Sequence, residues 1–210
     1  IADPELTTGM PPFITVGTGM DALAHCLEAY CATGYHPMAD GIALEGMRLV
    51  FENLPKAAKN GKDITARANM MAAAAMGATA FQKGLGAIHS LSHPIGALYD
   101  THHGMTNGVF MPYVLEFNRP AVEERITRAA AYLGIRGGFD GFAKAILKLR
   151  KDLKVPHTLP DLIKGLKMDA KRKAEIAAMA VADPSTGGNP VKLTRKAAQA
   201  LLENTIAGKL

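Results

Sequence analysis

The stretch DITARANMMAAAAMGATAFQ, residues 63–82, indicates the fold class of the chain. Eleven of its twenty residues are alanine or methionine, which favour the α-helix, and few are β-branched or aromatic. Asp63 stands where its side chain can cap the first turn. The stretch therefore predicts a helix over 63–82, and its many small side chains predict close packing at the centre of a helical bundle.

The rest of the chain predicts further helices and no strand. Breaks that contain proline or glycine, such as Asn118 to Pro120, separate amphipathic segments. Residues 1–19 are rich in proline, glycine and threonine, and they predict an extended segment with Thr18 as the N-cap of the first helix. We predict one all-α domain over residues 1–210, a multi-helix bundle. The other helices are expected at 19–32, 38–59 (bent near Pro55), 86–98, 104–117, 120–133, 139–153, 160–166, 170–182 and 193–207.

The net charge of +5, from 24 Lys and Arg against 19 Asp and Glu, has two explanations. One is an anionic partner such as nucleic acid. The other is the solvated faces of amphipathic helices. We favour the second because no aromatic residue is interleaved with the basic residues and no nucleic-acid-binding motif occurs. We therefore expect no nucleic-acid partner.

The two cysteines and the apolar runs bear on the cellular location. Cys26 and Cys31 lie five residues apart in one predicted helix, so their side chains point in different directions. We expect reduced, buried thiols and a cytoplasmic protein. The most apolar run, residues 70–81, is too short to span a bilayer, and no signal peptide is evident. We therefore expect no membrane partner.

Four of the seven histidines fall within GAIHSLSHPIGALYDTHHG, residues 86–104. His89 and His93 are four residues apart, so on a helix both imidazoles project from one face. Earlier, the sequence DALAH gives Asp21 and His25 the same spacing. With His103, these side chains could offer three imidazoles and one carboxylate to one ion. Such a set suits Fe(II) or Zn(II) and does not suit Ca(II) or Mg(II), which prefer oxygen.

Each part of this pattern also has an ordinary structural explanation. Asp21 follows Thr18 by three residues, which fits a capping box at a helix start. His25 alone is typical of a hydrogen-bonded core histidine. Spacing therefore leaves both a metal site and a set of structural residues open. The remaining histidines are expected on the surface or in loops: His36, His102 and His157.

Three longer segments resemble the iron-containing (group III) alcohol dehydrogenases, whose superfamily includes glycerol dehydrogenase and dehydroquinate synthase. They are DPELTTGMPPFITVGTGMDALAHCLEAY (3–30), GLGAIHSLSHPIGALYDTHHGMTNGVFMPYVLEFN (84–118) and DPSTGGNP (183–190). The resemblance implies the all-α C-terminal domain of that fold. An N-terminal domain that binds NAD or NADP is then expected to be absent from this chain, which agrees with its abrupt start and its lack of a Gly-rich nucleotide loop. Family members commonly form homodimers.

The resemblance also implies a role for particular residues. Asp21, His25, His89 and His103 correspond to the metal ligands, although the family usually has proline where His102 stands. His93 corresponds to a residue beside the nicotinamide that assists proton transfer or cofactor positioning. We expect Phe81 either to form an apolar wall of the substrate pocket or to pack in the core.

The implied reaction is reversible hydride transfer between an alcohol or aldehyde and NAD(P), with the metal polarising the substrate oxygen. This chain alone is expected to be inactive without the nucleotide-binding domain. Two alternatives remain. One is a metal-binding helical module without redox activity, and the other is a maleylacetate reductase-like enzyme, although such members often depart at the ligand positions.

Overall fold

A computed structural model describes residues 2–210, and every regular element among them is helical. This confirms the all-α prediction. Three short 3-10 helices span Pro4–Thr7, Phe81–Lys83 and Pro184–Gly188. The α-helices are α1 Pro12–Cys31, α2 Pro37–Lys59, α3 Ile64–Ala80, α4 Ala87–Tyr99, α5 His103–Tyr132, α6 Gly138–Asp152, α7 Leu159–Leu162, α8 Ala170–Ala182 and α9 Arg195–Ala207.

Helix α1 lies at the centre of the fold, in contact with α2, α3 and α5. Most of its side chains are buried. Helix α4 packs against both α5 and α8, and α8 pairs with α9. Polar side chains of α1 contact both α4 and α5 directly.

The expectation that α3 occupies the bundle centre is wrong. Ala66, Ala73, Gly77 and Ala80 are buried on one face, while Ala72, Ala74, Ala75 and Ala78 are exposed. Small side chains let α3 approach α1 closely on that single face, because a Cβ on Gly77 would lie 2.9 Å from the Cβ of His25. The predicted cap is present, since Asp63 accepts a hydrogen bond from the Ala66 backbone N–H at 2.9 Å.

The predicted start of the first helix is also wrong. Helix α1 begins at Pro12, a residue favoured at the first helical position because its missing N–H would have no partner there. Thr18 lies inside the helix, and its hydroxyl donates to the Ile14 carbonyl at 2.9 Å. Thr18 is therefore not a cap, and the capping-box explanation of Asp21 falls with it.

Helix α5 is one helix of 30 residues, where two helices separated at Asn118 to Pro120 were expected. Pro112 and Pro120 each remove one backbone hydrogen bond, but burial of α5 side chains on both sides of them holds the helix together. The expected helix at 160–166 is reduced to α7, which begins at a capping box of Thr158 and Asp161.

Cys26 and Cys31 are both buried and unpaired, as expected, and burial raises the pKa of each thiol to about 12. Within residues 2–210, the helices are all too short or too polar to cross a membrane.

Candidate metal centre

Helix α4 has an unusual start, and this start positions the site. Its N-cap residue is Gly86, which has no side chain to bond the first free amides. Two distant side chains do so instead. Asn189 Oδ1 accepts from the Ala87 N–H at 3.0 Å, and Glu28 Oε1 accepts from the Ile88 N–H at 2.6 Å. Because of these bonds, α4 is fixed to α1 on one side and to the 184–188 turn on the other.

The structure brings the four predicted ligand residues together around one carboxylate oxygen. Asp21 Oδ1 lies 3.3 Å from His103 Nε2, 3.4 Å from His89 Nε2 and 4.0 Å from His25 Nε2. The donor atoms of Asp21, His25 and His89 all lie within 4.8 Å of one another. Ligands held about 2.1 Å from one ion in a tetrahedron would be about 3.4 Å apart. The donors of Asp21, His25 and His89 are therefore close enough to share one transition-metal ion, and His103 lies outside that group of three but within 3.3 Å of Asp21 Oδ1.

Glu28 belongs to this site although the sequence analysis missed it. Its Oε2 lies 2.5 Å from His89 Nδ1, and the residue is 5% exposed. This contact turns His89 Nε2 towards Asp21. A signal existed in the sequence, because Glu28 follows Asp21 by seven residues and His25 by three on the same helix, and so shares their face.

Asn107 is a second missed residue, and it is fully buried. Its amide Nδ2 donates to Asp21 Oδ1 at 2.7 Å and lies 3.0 Å from His103 Nε2 and 3.2 Å from His89 Nε2. Its position four residues after His103 on α5 was the available signal. The amide restrains the carboxylate at the middle of the donor set.

Electrostatic effects at the site favour a charged Asp21. Burial alone would raise the pKa of Asp21, but hydrogen bonds with His103 and His89 hold it well below its usual range. Burial alone would lower the pKa of His89, but hydrogen bonds with Asp21 and Glu28 raise it to about 9. The pKa of His25 is lowered, chiefly by burial and only partly offset by Asp21.

His93 stands at the open edge of the cluster. Its side chain is 42% exposed, and its ring stacks on that of His103, with centroids 5.3 Å apart and planes 15° apart. His93 Nδ1 lies 2.7 Å from Asp183 Oδ2. Asp183, the first residue of DPSTGGNP, is the third residue that the sequence analysis missed. Burial alone would raise its pKa, but hydrogen bonds with His93 and Ser185 lower it.

Phe81 lies at the rim beside the donors. It is 38% exposed, and its ring centroid is 5.2 Å from that of His25. This exposure argues against the core-packing explanation of Phe81, and its ring is available to border the opening of the site.

His102 lies in the loop before α5, as expected, and it has a structural role there. As the N-cap of α5, its Nδ1 accepts from the Met105 N–H at 3.4 Å, so His103 becomes the first residue of the helix. Its ring fills the space above Gly17, where a Cβ would lie 2.3 Å from the ring. The other two histidines stand outside the donor cluster: His36 caps α2, and His157 bonds Arg150.

The chain is similar to known proteins over most of its length. A model of the C-terminal region of the Fe-containing alcohol dehydrogenase family matches residues 15–206. The 4-hydroxybutyrate dehydrogenase of Cupriavidus necator is 38% identical over 215 residues, which cover 98% of this chain and 55% of that protein. The chain spans about half the length of the curated relatives it matches.

Two solved structures show the same fold. A 1,3-propanediol oxidoreductase superposes with a TM-score of 0.91 at 33% identity, covering 97% of this chain and 55% of the other. The maleylacetate reductase of Rhizobium sp. strain MTP-10005 superposes with a TM-score of 0.81 at 29% identity, covering 99% and 56%. Both similarities extend over nearly the whole chain.

Proposed function

The chain belongs to the Fe-containing alcohol dehydrogenase family, and from this premise we propose that it is the metal- and substrate-binding part of an NAD(P)-linked alcohol or aldehyde oxidoreductase. The observation that carries the proposal is the convergence of three imidazoles on Asp21 Oδ1, the nearest at 3.3 Å. A purely structural cluster has no need for four metal-ligating side chains from three helices around one atom.

Asp21, His25, His89 and His103 would hold the ion. Fe(II) is favoured by the family, and Zn(II) suits the same donors. The ion would supply a Lewis acid that polarises the alcohol oxygen, and NAD or NADP would accept the hydride. Glu28 serves the site by fixing the His89 ring, since a histidine that binds metal through Nε2 is commonly held through Nδ1.

The residues at the open edge would handle the substrate and its proton. His93 Nδ1 is engaged by Asp183, and among residues 2–210 no hydrogen bond is made by its Nε2, which would accept the hydroxyl proton of the alcohol. Phe81 would border the substrate and exclude water from the face beside His25.

The nucleotide would be bound mainly by a separate N-terminal domain. In its support, this chain contains no Gly-rich nucleotide loop, and its relatives are about twice as long. The two unpaired buried thiols support a reducing compartment such as the cytoplasm.

The first test is metal uptake, measured anaerobically on the wild type and on a His89→Ala, His103→Ala double variant. We expect about one Fe(II) or Zn(II) per chain in the wild type, none in the double variant, and the same helical circular dichroism in both. His36→Asn is the matched control, because it removes an imidazole outside the cluster while asparagine can still cap α2. A folded wild type that binds no metal at micromolar concentration would contradict the proposal.

The second test is alcohol-dependent reduction of NAD(P) by the complete gene product. We expect activity in the wild type and none in the double variant. Metal uptake without oxidation of any alcohol would favour the metal-binding module without redox activity. Reduction of maleylacetate in place of aldehydes would favour the maleylacetate reductase-like alternative.

A further inference from the structure

We infer that Asp183 is a positioning residue for His93, which fixes the imidazole as the tautomer with its proton on Nδ1 and so leaves Nε2 as the basic atom at the open edge. The inference rests on the proposed function. It gives the segment DPSTGGNP, which lies 90 residues beyond His93, a part in the reaction.

The two oxygens of Asp183 have different partners. Oδ2 lies 2.7 Å from His93 Nδ1, while Oδ1 accepts from the Ser185 backbone N–H at 2.8 Å and so caps the Pro184–Gly188 turn. A charged carboxylate only accepts hydrogen bonds, so His93 Nδ1 must carry the proton that is shared with it. The other ring nitrogen of a neutral imidazole is then an acceptor.

The turn that carries Asp183 is fixed to the start of α4 at its other end. Asn189 Oδ1 accepts from the Ala87 N–H at 3.0 Å and from Asn118 Nδ2 at 3.0 Å, and Asn189 Nδ2 donates to Asn118 Oδ1 at 2.8 Å. Gly188 lets the two backbones approach, because a Cβ there would lie 2.2 Å from the Leu85 carbonyl oxygen. The turn thus contacts α4 both at its first residue and at His93.

The orientation of His93 depends on this contact because its ring is otherwise loosely held. Its side chain is 42% exposed, and its stacking on His103 does not fix rotation about the Cβ–Cγ bond, which exchanges the position of Nδ1 with that of Cδ2 and the position of Nε2 with that of Cε1. The side chain of Asp183 is only 13% exposed, so its bond to Nδ1 is protected from water. Without Asp183, the proton on His93 could occupy either nitrogen.

The decisive variant is Asp183→Asn. Asparagine has one acceptor oxygen; if that oxygen keeps the cap on Ser185 N–H, its NH₂ group faces His93 Nδ1 and reverses the tautomer. In the complete gene product we expect kcat for alcohol oxidation to fall about 100-fold, with KM for the alcohol, metal content and thermal midpoint nearly unchanged. Asp169→Asn makes the same chemical change at the N-cap of α8, away from the site, and is expected to keep wild-type kcat.

Two further measurements separate positioning from a structural effect. Histidine-labelled ¹⁵N NMR of the Zn(II)-loaded protein, with His93 assigned through His93→Gln, should show the proton on Nδ1 in the wild type and on Nε2 in Asp183→Asn. In the His93→Gln background, Asp183→Asn should have no further effect on kcat.

The inference is overturned if wild-type His93 carries its proton on Nε2, if Asp183→Asn keeps kcat within about twofold, or if its loss of kcat follows loss of metal or of folded protein. A wild type that takes up metal but oxidises no alcohol contradicts the proposed function instead, and the NMR comparison still decides the tautomer.

Discussion

His89 and His93 stand one turn apart on α4, and each bonds a carboxylate through Nδ1, yet their surroundings are opposite. The side chain of His89 is 2% exposed and its partner Glu28 is 5% exposed, while the His93 side chain is 42% exposed. Nε2 of His89 faces Asp21 at 3.4 Å. If His89 binds metal and His93 accepts the proton, as we propose, then burial and what Nε2 faces decide which task each pair of imidazole and carboxylate serves.

The strongest test of this difference between His89 and His93 is to replace the carboxylate partner of each one in turn. Glu28 accepts two hydrogen bonds, from Ile88 N–H and from His89 Nδ1–H, and glutamine has a single acceptor oxygen for both. We expect Glu28→Gln to weaken metal affinity by 10- to 100-fold, about the usual loss for a residue that orients a ligand. Titration calorimetry with Zn(II) measures the change.

Asp183→Asn is the matched control for that change, because it removes the same negative charge from the carboxylate partner of the other imidazole, His93. We expect its metal affinity to stay within about twofold of the wild type, since His93 is not among the proposed ligands. Equal losses of Zn(II) affinity in the two variants would show that the Glu28 and Asp183 pairs do not differ in their effect on metal binding.

A pH titration sharpens the comparison further. The pKa of His89 in the metal-free chain is raised to about 9, so at pH 7 it holds a proton that an ion must displace. Apparent Zn(II) affinity should therefore rise with pH, about tenfold per unit between pH 7 and 9, and level off above. His25 adds nothing in this range, because burial lowers its pKa and leaves it neutral. A Zn(II) affinity that does not change above pH 7 would show that the pKa of His89 is not raised.

Helical periodicity in the sequence was enough to predict most residues of the site, but not the residue that holds His93. Asp21 and His25, like His89 and His93, share a helical face at a spacing of four, so helix geometry alone grouped them. Glu28 and Asn107 lie on those same faces and were within reach of the same argument. Asp183 could not be predicted by that argument, because it lies at a turn and its contact with His93 joins residues that are 90 apart in the chain.

The fold class was predictable from the sequence. The predicted helix bounds are wrong where tertiary contacts override local signals. Helix-forming composition gave the all-α class and most helix positions. Asn118 and Pro120 indicated a break, but packing along α5 carries the helix through them. Glycine and threonine before residue 19 indicated a loop, but they lie inside α1, where Gly17 leaves room for the His102 ring above it.

A substitution of Asn189 tests whether the His89–Glu28 pair and the His93–Asp183 pair depend on the same attachment of the 184–188 turn to α4. Asn189→Ala leaves the Ala87 N–H and the buried Asn118 amide without a partner, and we expect it to lower the free energy of unfolding by about 2 kcal/mol. Urea unfolding of the chelator-treated protein measures the loss. Asn204→Ala, at an exposed position on α9, should change it by less than about 0.5 kcal/mol. Equal stability of the two variants would mean that the 184–188 turn is only loosely attached to α4.

The smallest effect is expected at Phe81, where the buried and exposed sides of the site meet. Its ring lies 5.2 Å from that of His25, but 38% of the residue is exposed, so Phe81→Leu gives up little buried area. We expect a stability change below about 1 kcal/mol and unchanged metal affinity, with a severalfold change in KM for the alcohol. Phe110→Leu, at a fully buried position, should show the reverse: unchanged KM and a larger loss of stability. If Phe81→Leu lowers stability as much as Phe110→Leu and leaves KM unaltered, then Phe81 belongs to the core and the open edge of the site has no apolar wall there.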